Sequence, residues 1–485
     1  MLGMSKGLLV IPLNAEILSR TPPEAVELIM HLLERVTKLE TRNTELLAQN
    51  ARLMEQNEAF EKRIVELESK LNRKSTNSNK PPSSDSPFEK KQCVTREKKE
   101  KRKRTRKGYG RKRLEPTDTQ NVMPGACTCG STNHVCVEPY YTHQVVELPE
   151  IQLIVEDIVL HKAECAECGK TVKAEIPPEK RTGYGPRLSA MTVELVGVHG
   201  DSRRGVQDFL FSVFHLSVSL GAIQKIINRA KEAITPHYEA IRDVARQAPV
   251  NHIDETSWKT NGCLRWLWTM TSTLVAFFMI HQNRSRAAFE ELVGTWQGIL
   301  ISDGYALYRK WVNRRQMCLA HLIRSAIGIS ESCDPDIAAV GTRIKEELQL
   351  LCHMAKAPPT IKEWNDFYDR LMLLFQLNSD CDDEAGKLVR RLMREIDNLW
   401  TFLEVHGVEP TNNIAERSLR FPVTYRKRSF GTRQECGERF IERIMSLRQT
   451  CRIRKVRTFP ILVDAFRAWL NQSSPDVSFI TKHTP

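Results

Sequence analysis

Three carboxylates, each in a distinct local setting, carry the strongest chemical signal in this chain. Asp254 lies in His252-Ile253-Asp254-Glu255-Thr256, Asp303 in Ile301-Ser302-Asp303-Gly304-Tyr305, and Glu416 in Thr411-Asn412-Asn413-Ile414-Ala415-Glu416-Arg417. Each ends a strand-like run or opens a helix-like one, so acids far apart in sequence can converge. Carboxylate oxygens suit a hard divalent cation such as Mg2+, and acids grouped on such cations support displacement at phosphorus. Glu255, next to Asp254 on a strand, is expected to face the other way and stays outside the triad. Cys318 and His321 sit one helical turn apart, but two ligands do not make a metal site, and packing is their simpler role.

The elements that must position these acids can be read from periodicity. Pro249 to Ser257, Leu264 to Thr271 and Thr273 to His281 are short runs rich in β-branched and aromatic residues, separated by Thr-Asn-Gly and Ser-Thr turns, and predict three antiparallel strands. A helix over Arg286 to Val293 and a buried strand over Gly298 to Ser302 follow, the order of a ribonuclease-H-like α/β sheet with Asp254 and Asp303 side by side. Glu416 then comes from a helix capped by Thr411 or Asn412, with Asn413, Glu416, Arg417 and Arg420 on one face. Between the second and third acids, helices over Ile337 to Cys352, Ile361 to Leu377 and Glu384 to Val405 predict a helical insertion at about 330–405. A catalytic domain is expected over 249–430 and a closing helical segment over 431–485. Arg324, Arg417, Arg420, Arg426 and Lys427 are candidate phosphate contacts.

Lys plus Arg number 72 against 59 Asp plus Glu among 485 residues, a formal charge of +13 that favours a polyanionic partner. The longest apolar run, Leu274 to Ile280, falls far short of the roughly 20 residues that span a bilayer. With no export-type leader, a cytoplasmic protein with reduced thiols and no membrane partner is expected. After an N-terminal segment (1–24), residues 25–72 repeat every seven positions. Leu32, Leu39, Leu46, Leu53, Phe60 and Leu67 form one series, and Ile29, Val36, Asn43, Asn50, Asn57, Ile64 and Leu71 the other. Asparagines at the central a positions fix register in a parallel coiled coil, so a homodimer or higher oligomer is expected. Residues 73–114 read as a disordered basic linker, with about a dozen Lys and Arg between Arg96 and Arg113.

Residues 115–183 read as a zinc-ribbon-like domain. Cys127 and Cys129, then Cys165 and Cys168 across a strand-rich interval, offer four thiolates to a structural Zn2+. The first pair has a one-residue spacer, which leaves Cys136, His134 or His161 as substitutes. Residues 184–248 are helical. Within them Gly205 to Phe214, a turn, and Ser219 to Lys231 have the dimensions of a helix-turn-helix, with Ser219 as N-cap and Gln224, Lys225, Asn228 and Arg229 exposed on the second helix.

Asp254-Glu255-Thr256, Asp303-Gly304-Tyr305, Cys318-Leu319-Ala320-His321-Leu322-Ile323-Arg324 and Asn412-Asn413-Ile414-Ala415-Glu416-Arg417 together resemble, in this order, the motifs of the insertion sequence 66 family of bacterial transposases. The leading zipper, the Asn77 to Ser86 linker and the paired cysteines extend the resemblance over most of the chain. The resemblance implies that Asp254, Asp303 and Glu416 form an Asp, Asp, Glu triad holding two Mg2+ ions, with Mn2+ able to substitute. It further implies cleavage at element ends and strand transfer into target DNA in the bacterial nucleoid, with accessory transposition proteins as further partners. An element-end DNA-binding protein without catalysis, or a metal-dependent nuclease or resolvase on the same fold, are the alternatives.

Overall fold

The computed structural model describes residues 20–71, 73–74, 77–78, 113–135, 137–311 and 313–481. Most of the basic run after Arg96 and Cys136 lie outside these residues. The chain groups into two compact units, one comprising Met1–Asp85, Arg324–Lys345 and Asp382–Ala385, the other the remainder.

In the first unit the heptad repeat forms α1 (Pro23–Leu71), a 49-residue helix. Proline is tolerated at its start because the missing N–H has no helical partner there. Leu32, Leu39, Leu46, Leu53, Phe60 and Leu67 are all exposed, so the apolar stripe is bare on the single chain. Beyond the helix, Asn77 is buried: its Nδ2 donates to Glu331 Oε2 at 2.5 Å and its Oδ1 accepts the Lys74 N–H at 2.6 Å. The stretch expected to be disordered therefore begins with a docked residue, because both ends of its amide find partners.

In the second unit, the described residues from 113 to 161 form no strand. Here the expected strand-rich interval is corrected. Its apolar side chains, among them Val145, Leu148 and Ile154, are exposed, with no neighbouring strand to pair the backbone. Only a small antiparallel pair follows, β1 (Lys162–Glu164) with β2 (Thr171–Lys173). Next come α2 (Pro186–Val193), which runs on as a π-helical turn to His199, then α3 (Arg203–Phe214), α4 (Leu220–Ala233) and α5 (Thr235–Gln247). His215 turns left-handed at the end of α3 with φ 54°, and Ser219 caps α4 by accepting the Ala222 N–H at 3.1 Å. Two helices joined by a short turn thus stand where the helix-turn-helix was expected.

The sheet comprises β3 (Val250–Thr260), β4 (Cys263–Thr271), β5 (Ala276–His281), β6 (Ile299–Ser302) and β7 (Arg315–Met317), with α6 (Arg286–Val293) between β5 and β6. Their order across the sheet is β5-β4-β3-β6-β7. The first three strands are antiparallel, and β6 and β7 join parallel to β3. Asn261 and Gly262, with φ 52° and 79°, make the tight β3–β4 turn that the Thr-Asn-Gly signal predicted. Then follow α7 (Leu319–Ser330), α8 (Pro335–Met354), α9 (Ile361–Asn378), α10 (Glu384–Arg394), α11 (Thr401–Glu404), α12 (Asn413–Ser429), α13 (Glu435–Arg454), α14 (Thr458–Leu470) and α15 (Ser478–Thr481).

Alternation along the strands sends side chains into two cores. Trp258, Leu267, Phe278 and Ile280 pack with Ile441 and Ile444 of α13, Phe466 of α14, and residues of α2 and α4. Ile253, Trp268, Met270, Phe277 and Met279 pack on the opposite face with Ile241 of α5 and Phe289 of α6. Each such fully buried side chain contributes about 1.5–3 kcal/mol, and together they pin the register of the strand that carries Asp254. Both rims of the sheet are covered. On β5, the N–H groups of Ile280, Phe278 and Ala276 donate to Glu442, Ser446 and Thr450 of α13 at 2.6, 2.9 and 3.1 Å. Four helical residues rise about 6 Å and two strand residues about 6.6 Å, so the two ladders match. On β7, Thr401 Oγ1 donates to the Arg315 carbonyl at 2.6 Å, and Gln316 bonds the Leu399 carbonyl and the Phe402 N–H.

Candidate active site

The pairing of β3 with β6 brings the first two acids together. His252 is level with Ile301, and the same register carried two residues further sets Asp254 level with Asp303. Asp303 lies just past β6, where its Oδ1 accepts the Tyr305 N–H at 2.9 Å; Asp254 Oδ1 accepts the Glu255 N–H at 2.9 Å. Glu416 stands in the first turn of α12. Its helix is held by Asn412, whose Nδ2 donates to the Ile253 carbonyl at 2.9 Å, whose Oδ1 lies 3.2 Å from His252 Nδ1, and whose N–H donates to Cys318 Sγ at 3.1 Å. Asn412 occupies the N-cap position, but its side chain is spent on β3 rather than on the helix. Burial depresses His252 to about 4, so its imidazole is neutral at neutral pH. His321 Nε2 lies 3.5 Å from Glu416 Oε1, which places the Cys318 and His321 pair beside the third acid.

The three carboxyl groups sense one another. Desolvation pushes Asp254 well above the carboxylate range, and the charges of Glu255, Asp303 and Glu416 push it further. Asp303 is raised by burial and by Glu416, against the Tyr305 N–H and the guanidinium groups of Arg284 and Arg391. Partly desolvated acids that repel one another are relieved by a bound cation, and their oxygens are the right donors for a hard one. Among the described residues, no group of three or more His, Cys, Asp or Glu is drawn together tightly enough to hold a metal ion.

Glu255 faces away from Asp254, yet it is not idle. Its side chain is 1% exposed and ion-paired with Arg284, whose Nε donates at 2.6 Å, and the Tyr308 hydroxyl also donates to it. Arg284 lies over the rings of Tyr305 and Trp266, at 3.8 and 5.1 Å from their centroids. Burial raises Glu255, and so does the charge of Asp303, against Arg284 and the Tyr308 hydroxyl. Sequence reasoning passed over Arg284, Tyr308 and Arg391, whose roles arise only from tertiary approach. The one local trace is Gly304. A methyl group there would stand 1.4 Å from Arg391 Nη2, so the guanidinium lies across a position that only glycine leaves open.

The candidate DNA contacts divide. Arg417, Arg420 and Lys427 are exposed on α12, Lys225 is exposed on α4, and Arg229 is half-buried. Arg426 is turned inward, with Nη1 on Thr256 Oγ1 at 3.0 Å and Ser257 Oγ at 2.8 Å, so it tethers α12 to β3. Arg324 belongs to the other compact unit. The cysteines form two separate knuckles. The Cys127 carbonyl accepts the Gly130 N–H at 2.8 Å and the Cys165 carbonyl accepts the Gly169 N–H at 2.9 Å, with φ 86° and 68° at the two glycines. Hydrogen bonds from Cys129 and from Cys168 lower the Cys127 and Cys165 thiols respectively.

The model of the family described as Transposase IS66 family matches residues 184–439. A second model, for a family of unknown function (DUF6444), matches residues 33–115. No curated protein matches the chain.

Proposed function

With more than half its length matched, the chain belongs to the IS66 transposase family, and we propose that it cuts DNA at element ends and joins them to target DNA through Asp254, Asp303 and Glu416. The observation that carries this reading is the β3–β6 register, which levels Asp254 with Asp303, together with the Asn412 anchor that brings the helix of Glu416 against the same strand. Three antiparallel strands followed by two parallel ones, with the first strand central, support a ribonuclease-H-like core.

Drawn inward from the spacing they have here, Asp254, Asp303 and Glu416 would hold Mg2+, with Mn2+ as substitute. When bound, the ions would make an attacking oxygen more nucleophilic and offset charge on the leaving one. The chain supplies the rest. Asn412 and the Tyr305 N–H hold the acids in place, and His321 orients Glu416. Arg417 and Arg420 are free at the helix surface to meet phosphates. Water, and then the released 3′-hydroxyl, serve as nucleophiles, so no protein side chain need attack. We also read α1 as one strand of a parallel coiled-coil dimer, the α3–α4 pair as a DNA-docking helix-turn-helix, and the two knuckles as halves of a structural zinc site.

Full-length protein incubated with end-containing DNA and Mg2+ tests the reading, with products sequenced. Ends joined to new DNA are expected. Cleavage without joining would indicate a nuclease or resolvase, and binding without nicking would leave only an end-binding protein. Asp254→Asn, Asp303→Asn and Glu416→Gln are each expected to bind DNA but lose cleavage by at least a hundredfold, on the order of 3 kcal/mol or more in the barrier. Near-normal cutting by any one removes that residue from the triad.

A further inference from the structure

Arg391 is the least expected neighbour of the acids. It comes from the last turn of α10, in the helical insertion, and its guanidinium crosses the backbone of Gly304 immediately beside Asp303. Two other guanidinium groups surround it: Arg394 on the same turn, and Arg309 in the short helical turn Tyr308–Lys310 that follows β6. Both repel it. The acids nearby do not balance this cluster. Glu395 is buried and already paired with Arg315, with the Asn398 amide on the same oxygen at 3.2 Å. Asp303, the other acid that Arg391 senses, is shared with Arg284, and in the reading above it is committed to a cation.

A fold that gathers three arginines next to a cation-binding acid leaves a surplus of positive charge, which an anion can settle. Arg309 and Arg394 are exposed and Arg391 is half-buried, so the cluster opens to solvent while its innermost member lies against the Gly304 backbone. A planar guanidinium held in place can form two parallel hydrogen bonds to one phosphate, which a mobile surface lysine cannot.

We infer that Arg391, flanked by Arg309 and Arg394, binds a DNA backbone phosphate next to the one that is cut, so that the helical insertion completes the active site. This rests on the reading of Asp303 as one of the catalytic acids. It also gives the Asp303-Gly304-Tyr305 triplet a division of labour: the acid, a gap for the guanidinium, and a backbone N–H that steadies the acid.

Binding of full-length protein to end-containing DNA, measured in Ca2+ across a range of salt, tests the inference without relying on turnover. Arg391→Ala is expected to weaken binding roughly ten- to a hundredfold and to lower the slope of log affinity against log salt by about one. Gly304→Ala should reproduce this, because its methyl group displaces the guanidinium, with Met317 Cε the next nearest atom at 3.0 Å. Arg391→Lys should fall between wild type and alanine. Neutral methylphosphonates placed one at a time around the cut should weaken wild type at one position where Arg391→Ala no longer responds. If Arg391→Ala melts away, Gly304→Ala and Arg391→Lys carry the test. Folded variants with wild-type affinity and an undiminished salt slope would overturn the inference and leave the proposed function standing. Wild-type protein that binds no DNA would sink both.

Discussion

At the scale of single residues, the site is a balance of charge rather than a set of donors alone. Asp254, Glu255 and Asp303 are all raised by burial; neighbouring carboxylates raise each further, while Arg284 pulls Glu255 and Asp303 back and Arg391 pulls Asp303 back. Arg284→Ala would leave Glu255 buried and uncompensated, a change that typically costs about 3–5 kcal/mol. Denaturant unfolding should show a loss of that order, and adding Glu255→Gln should recover part of it. A double variant no more stable than Arg284→Ala would mean the two residues are not coupled. Asp254, Asp303 and Glu416 were legible as candidates because two sit at strand-like runs and the third opens a helix-like one. Arg284 and Arg391 were not, since nothing near them in sequence says which backbone they will cross.

At the scale of elements, strands and helices followed their periodicity closely, and the departures have physical causes. β7 escaped notice because it is three residues long and buries Arg315 and Gln316, polar residues made tolerable by Glu395, Leu399, Thr401 and Phe402. The single helix expected over Glu384 to Val405 breaks after Arg394, where residues 399–402 turn to cover that strand. The segment between Asp303 and Glu416 closes at its base. The Leu319 N–H donates to the Pro410 carbonyl at 2.9 Å, so the excursion leaves and re-enters through one gateway. Asn412→Ala removes two side-chain bonds at that gateway. It should cost roughly 1–3 kcal/mol and reduce cleavage at least tenfold with DNA binding kept, whereas unchanged cleavage would show that Glu416 is held by other means. For α1, Asn50→Ile should raise the melting temperature of the coil and let the oligomer drift from its single state. Sedimentation giving one unchanged mass would count against an asparagine-set register.

At the scale of the whole molecule, two cores share one sheet, and Glu442 of α13, bonded to the β5 rim of that sheet, should make stability depend on pH. Burial pushes Glu442 up to about 7 against the pull of Arg439. Its unfolded value is that of an ordinary glutamate, about 4.3. Between those two values the unfolded chain has lost a proton that the folded chain keeps, so stability is fully present below about pH 4 for this group and falls as pH rises to about 7. Melting temperatures measured from pH 5 to 8 should decline more in wild type than in Glu442→Gln, which keeps an acceptor for the Ile280 N–H. Parallel curves would rule Glu442 out as a source of the slope. The same helix has a further consequence. Chains tethered through α1 would meet one another at high local concentration, where a bare strand rim is a template for polymer growth. With the N–H groups of β5 taken by α13 and the Arg315 carbonyl of β7 taken by Thr401, the rims of the five-stranded sheet offer neighbouring copies little backbone to extend, and crowding on one DNA molecule need not seed a fibre through it.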